Sequence, residues 1–256
     1  LMFSFQNMRK KLDWGVTYYR SNVTNFFNTQ FNNMLYTNLY QVNATYPINE
    51  VKSIRATIGL RSDRGVLKSY DNIAGQPNPN SLAYQDTVSK FVLSRIEYVH
   101  DNTINPTQNI WNGLRYKVYL DVNMPTLKTA LNNGKPTMNF GFDGRYYHKI
   151  YRNFIWAGRV AADFSWGNQK LIYYLGGVDG WIGPKFNNGN QPAADQNYAF
   201  QSLAVNMRGY RQNIANGNNA FVINSEFRLP LFATIFDRPI NNAFLRNFQL
   251  VQFLDL

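Results

Sequence analysis

The feature that most constrains this chain is an alternation of apolar and polar side chains, repeated in segments of about nine to thirteen residues. Over Asn112–Val122, Leu114, Tyr116, Val118, Leu120 and Val122 fall on one face, and Arg115, Lys117, Tyr119 and Asp121 on the other. Thr137–His148 sets Met138, Phe140, Phe142 and Tyr146 against Asn139, Asp143 and Arg145. Phe154–Trp166 sets Phe154, Trp156, Val160, Phe164 and Trp166 against Arg159, Asp163 and Ser165. Val51–Leu60 does the same, and Lys90–His100, Leu35–Tyr46 and Trp14–Tyr19 follow less cleanly. Side chains of period two stand on opposite faces of a strand, so the pattern predicts an all-β chain with no convincing helix.

Strand length then narrows the class. Soluble sheets use strands of about five or six residues, whereas a tilted strand needs about nine to eleven to cross a bilayer. Charged residues make up 16% of the chain, against about a quarter in an average soluble domain. Asn, Gln, Thr and Tyr take their place, and tyrosines such as Tyr18, Tyr46, Tyr146 and Tyr173 gather near strand ends. An apolar outside, a polar inside and aromatic girdles describe an antiparallel transmembrane β-barrel. There is no run of 18 apolar residues that would make a transmembrane helix.

The net charge of +11 is read first as basic loops and lumen-lining residues, and alternatively as attraction to anionic lipid headgroups or acidic polypeptides. No Lys/Arg run of the nucleic-acid-binding kind accompanies it, so no nucleic acid partner is expected. With no cysteine, thiolate chemistry is excluded. No nucleophile elbow, phosphate loop or dinucleotide fingerprint is present. His100 and His148 have no third ligand at metal spacing, so neither an enzyme, a metal nor a cofactor is expected.

Two long connections interrupt the alternation. Ser62–Ser89, with its Gly75-Gln76-Pro77-Asn78-Pro79 run, reads as an exposed loop. Gly176–Asn218 far exceeds an ordinary connection and reads as functional. Within it lies Asn206-Met207-Arg208-Gly209-Tyr210, and two strand-like segments follow, Phe221–Leu229 with Glu226 and Arg246–Leu256 with Asp255. An arginine fork can hold two carboxylates and stays charged at any relevant pH. Gly209 permits a tight turn, and Tyr210 offers a ring for packing and a hydroxyl for a partner. The expectation is a loop tucked into the barrel, with Arg208 paired to Glu226 and Asp255.

Four stretches carry a family resemblance. Met207-Arg208-Gly209-Tyr210 is similar to a V-R-G-[FY] lumen-loop motif, with Met in place of Val. Ser225-Glu226-Phe227-Arg228-Leu229-Pro230 and Phe253-Leu254-Asp255-Leu256 look like the acid-bearing strands that follow such a loop. Asp101, Asn105 and Pro106, with Gly113 behind them, look like a strand-end turn, and Gly176-Gly177 like a loop start. Together they resemble the bacterial outer-membrane barrel-assembly and two-partner-secretion superfamily, the bacterial surface antigen (BamA-like) barrels.

The resemblance covers about Lys90–Leu256 and implies about sixteen strands in the full barrel, of which roughly ten or eleven lie in this chain. On that reading residues 1–256 are one outer-membrane barrel domain, incomplete at both ends, and 176–218 is its lumen loop. The implied function is insertion or translocation of other polypeptides at the bacterial outer membrane without ATP, through a weak seam between first and last strands. The implied partners are outer-membrane lipids and lipopolysaccharide, unfolded or exported client polypeptides, and accessory lipoproteins. A dedicated secretion pore for one partner or surface lipoprotein, and a passive diffusion porin, are the alternatives.

Overall fold

The computed structural model describes residues 1–25, 32–68, 86–104, 112–126, 134–167, 170–177, 186–187, 189–190, 198–204, 207–236 and 240–256. Their strands are β1 (Met2–Asn7), β2 (Asp13–Asn25), β3 (Asn32–Asn49), β4 (Lys52–Lys68), β5 (Thr87–Asp101), β6 (Gly113–Pro125), β7 (Thr137–Tyr151), β8 (Phe154–Gly167), β9 (Lys170–Leu175), β10 (Tyr198–Ala204), β11 (Ala215–Gly217), β12 (Asn219–Pro230) and β13 (Gln249–Asp255). Helices α1 (Leu231–Ile235) and α2 (Ala243–Asn247) separate the last two strands. Ten strands form one sheet in the order β1-β2-β3-β4-β5-β6-β7-β8-β12-β13. The chain is thus all-β, as the alternation predicts. Closing a barrel requires the first and last strands to pair; here β1 and β13 stand at the two ends of the sheet, which stays open.

The chain divides into two compact units, residues 1–47, 55–96 and 121–136 in one, and 48–54, 97–120 and 137–256 in the other. In the first unit, β1 and β3 flank β2 in antiparallel register, with Val16 opposite Val42 and Tyr18 opposite Tyr40. The two tyrosine rings lie 4.9 Å apart. The other face of these strands is polar and bonded to itself. The Asn43 amide oxygen accepts from Gln41 Nε2 (2.6 Å) and Thr57 Oγ1 (3.0 Å).

Asp63 accepts from Thr37 Oγ1 (2.8 Å) and Arg61 Nε (2.9 Å). This pairing explains one departure from the sequence pattern. The apolar alternation fades at Ser62, yet β4 continues to Lys68. Backbone ladders need no apolar side chains, and a polar face bonded to its neighbour strand extends the strand as well as an apolar one. At the far end of the former loop, Thr87–Ser89 belong to β5. Residues 69–85 lie outside the described set.

In the second unit β8 pairs antiparallel with β7 on one side and β12 on the other, and β12 pairs with β13. The faces fall as the alternation predicts. Phe140, Tyr146, Val160, Phe164, Trp166, Phe221, Ile223 and Phe227 are exposed. The opposite face buries Thr137, Asn139, Ser165 and Asn224 beside Ile155, Ala161 and Val222. The segment after β8 folds back over that face as a second, three-stranded sheet. There β9 pairs parallel with β10 and antiparallel with β11. Tyr173 packs with Ala220, Leu171 N donates to Ser165 Oγ (2.8 Å), and Asn218 Nδ2 donates to Leu171 O (3.1 Å).

Tyr119 locks three strands together. Its hydroxyl reaches from β6 across Gly141 of β7 and donates to Asp163 on β8 (2.5 Å), and Gly141 and Asp163 are register partners. A Cβ at Gly141 would lie 2.1 Å from Tyr119 Cζ. Gly141→Ala should therefore lower unfolding stability by about 1–3 kcal/mol, as overpacking does. In a Tyr119→Ala background the same change should cost almost nothing, because the ring it displaces is gone. Urea midpoints for the four proteins of this cycle measure the coupling, and additive losses would rule out the lock.

Candidate functional site

The site begins with strand register. Asn224 opposes Asp255 and Glu226 opposes Phe253, so the four side chains form a square on the covered face of β12 and β13, with the two acids on a diagonal. Arg208 sits on this square. Its Nε and Nη2 donate to the two oxygens of Asp255 (2.9 and 2.7 Å), and its backbone N–H donates to the same carboxylate (2.7 Å). Nη1 pairs with Glu226. The guanidinium carbon stands 4.1 Å from the centre of the Phe253 ring. Asn224 and Phe253 complete the site, although neither is among the residues that the motifs single out. The signal available was their register position beside the acids.

The two acids are held unequally. The Asp255 side chain is 1% exposed and receives three bonds from Arg208, whereas the Glu226 side chain is 18% exposed and also pairs with Arg228 (2.7 Å). A bidentate fork plus a backbone donor compensates much of the cost of burying the Asp255 charge. The hydrogen bonds to Asp255, with the charge of Glu226, hold the Arg208 guanidinium above its ordinary pKa, so it keeps its charge throughout the working range.

The cluster continues across the sheet. Arg228 lies over the Tyr147 ring (5.7 Å). Arg159 donates to Asn224 (3.2 Å) and Asp143 (2.8 Å), and Arg145 to Asp143 (3.0 Å). Arg145 and Arg159 oppose each other in register, and Asp143 between them offsets the like-charge repulsion.

What carries Arg208 to the wall is a folded loop. Gly177 bridges to Met207, its N–H donates to Tyr210 O (3.2 Å), and Ile214 N donates to Leu175 O (2.9 Å). Gly176 and Gly177 have φ of 106° and 84°. A Cβ on Gly176 would stand 2.1 Å from Arg211 O, so only glycine allows this approach. Gly209 differs: its φ is 85°, but a Cβ there would meet nothing within 4 Å. Its requirement is conformational alone. Tyr210 is 45% exposed, and its contact with the turn is through its carbonyl.

A set of asparagines holds this loop, and the sequence showed it only as Asn richness. Asn213 is buried at φ 62°, a left-handed conformation that asparagine tolerates. Its Nδ2 donates to Asn187 O (2.9 Å) and Asn190 O (2.8 Å), and Asn216 Nδ2 donates to Asn190 O (3.1 Å).

The remaining sequence candidates lie elsewhere. Asp101 Oδ1 accepts from Thr103 N (3.1 Å), making an Asx turn at the end of β5. Asn102 closes that turn onto Leu114 N (2.6 Å), and Gly113, at φ 125°, lies against Asn102 and Thr103. Asn105 and Pro106 lie outside the described residues. His100 stacks on Tyr116 (5.1 Å), and His148 lies against Tyr146 (6.2 Å). Among the described residues no group of three His, Asp or Glu side chains could hold a metal ion. The chemistry of the Arg208 cluster is that of a clamp, in which fixed charges hold a loop to a wall.

Asp255→Ala should cost about 3–5 kcal/mol, because it leaves a largely buried guanidinium short of two bonds and a backbone N–H short of one. Glu226→Ala should cost less, about 1–3 kcal/mol. Arg208→Glu should reduce the folded band on a cold gel, and Glu226→Arg added to it should restore part of that band; independence of the two would refute the clamp. Gly209→Ala should cost about 1–2 kcal/mol from its backbone alone, with Gly209→Asn milder, as read from urea midpoints. No family model matches this sequence, and no curated protein matches it.

Proposed function

We propose that this chain belongs to an outer-membrane β-barrel that inserts or translocates other polypeptides, with the Arg208 loop clamped to the inner wall. The observation that carries this reading is the seat of Arg208 on Asp255 and Glu226 of β13 and β12, the arrangement that the resemblance implies.

The polarity of the sheet supports a membrane setting. Trp14, Val42, Ile58, Leu60, Ile96, Phe164 and Phe221 are exposed on strands whose other face carries the charged and amide side chains. In water such an apolar surface would drive association, whereas hydrocarbon accepts it and the polar face then lines an interior. A clamped loop keeps its part of the wall in one shape, while the work on a client falls to the seam between the full barrel's first and last strands, where an incoming strand can pair with backbone N–H and C=O groups. Such a step needs no nucleotide.

Depleting the full-length protein and quantifying the outer-membrane proteome tests the proposal. A general insertase gives a broad fall in unrelated barrel proteins. Loss of one or a few surface or secreted proteins, with other barrels unchanged, assigns the chain to a dedicated secretion pore. An unchanged proteome together with steady conductance in planar bilayers assigns it to a diffusion porin and overturns the proposal.

A further inference from the structure

The connection between β12 and β13 is elaborate for its place. The antiparallel registers put it at the same end of the sheet as the β7–β8 turn, which turns at Arg152–Asn153. The clamped segment leaves β8 at the opposite end. From Leu231 to Phe248 the connection carries four phenylalanines and two five-residue helices. Helices this short do not persist in water on their own.

Specific bonds hold the connection in place. Asn153 Nδ2 donates to Ala233 O (2.7 Å), Thr234 Oγ1 to Pro230 O (2.7 Å), and Asn242 Oδ1 accepts from Phe244 N (2.9 Å) to cap α2. Phe232 joins Phe248 and Phe236 at ring distances of 5.5 and 6.4 Å, and Phe244 joins Phe248 at 6.0 Å.

The rings cluster without being covered. Phe244 is 72% exposed, Ile235 60% and Phe236 55%. Phe248 shares the outward parity of Leu250 and Leu254, both exposed, and lies beside Leu231, whose N–H donates to Phe248 O (3.3 Å). The cluster therefore continues the apolar outer face of β12 and β13 past the end of their ladder. Asn241, Asn242 and Arg246 are exposed in the same connection and supply groups for a polar boundary. Aromatic rings with amide and guanidinium neighbours, at the end of an apolar wall, have the composition of a membrane–water interface.

We infer that this connection is an interfacial anchor: Ile235, Phe236 and Phe244 enter the headgroup–acyl boundary of the leaflet opposite the clamped loop, and Arg246 reaches its phosphates. The inference rests on the membrane reading above and adds a lipid contact that a plain hairpin turn would lack.

The chain has no cysteine, so single labels are clean. Phe244→Cys and, as a wall reference, Ile223→Cys are each labelled with an environment-sensitive fluorophore. The full chain is then folded into phosphatidylethanolamine–phosphatidylglycerol vesicles brominated at shallow or deep acyl positions. The expected result is strong quenching of the Phe244 label by shallow bromines and of the Ile223 label by deep ones. Quenching at Ile223 with none at Phe244 overturns the anchor and leaves the membrane reading standing. No quenching at either site overturns the membrane reading itself. A Phe244 label that leaves water only when a second protein is added also overturns the anchor and assigns the surface to a protein partner. Paired Phe236→Asp and Phe244→Asp should lower the folded yield in vesicles several-fold and leave it unchanged in detergent micelles; an equal fall in both would mark a folding defect and overturn the anchor.

Discussion

A guanidinium shared between two carboxylates organises the second unit. Asp255 has almost no access to water, and a buried carboxylate without partners is among the most unfavourable groups a fold can contain. The residue that satisfies it lies 47 positions earlier in the chain, so the loop cannot leave the wall without stranding that charge. The asparagine bonds, the Gly176–Gly177 approach and the small sheet of β9, β10 and β11 serve one geometric end. They deliver one side chain and one backbone N–H to the same carboxylate.

The sheet around the clamp inverts the usual arrangement of a globular domain. Its covered face holds ions and amides, bonded in chains from Asp143 through Arg159 to Asn224, while its free face is apolar. A polar network of this kind is stable when its members are satisfied, and satisfaction requires a fixed register. Register is therefore specified by charge on one face and by ring contacts such as Phe154–Phe227 and Phe140–Phe164 on the other. A slip of one residue would turn every ion of a strand outward, which is why alternation so strict admits one pairing.

Most of the large sheet was legible in the sequence because a strand shows its two faces in every second residue. β7 and β8 begin where the alternation begins, and the partners of Arg208 follow from a fork of donors in a long loop and acids of matching parity. The failures have physical causes. β4 outlasts its apolar pattern because Asp63 and Thr37 bond across the polar face. Arg246 and Asn247, read as strand, form the end of α2, since five residues are too few to show a helical period against a strong strand beside them. Pairing of β9 with β10 was invisible because a parallel pair joins segments 22 residues apart through a connection with no periodicity.

The sequence by itself determined that the chain is all-β and which face of each long strand is polar. Those properties depend on residue identity and parity, both local. Only the tertiary structure decided that Asp255 takes most of the bonds and Glu226 the fewer, that Asn213 ties the loop, that Tyr119 crosses Gly141, and that the sheet stays open between β1 and β13. Each of these depends on how closely segments distant in the chain approach, and that distance is fixed by packing rather than by pattern.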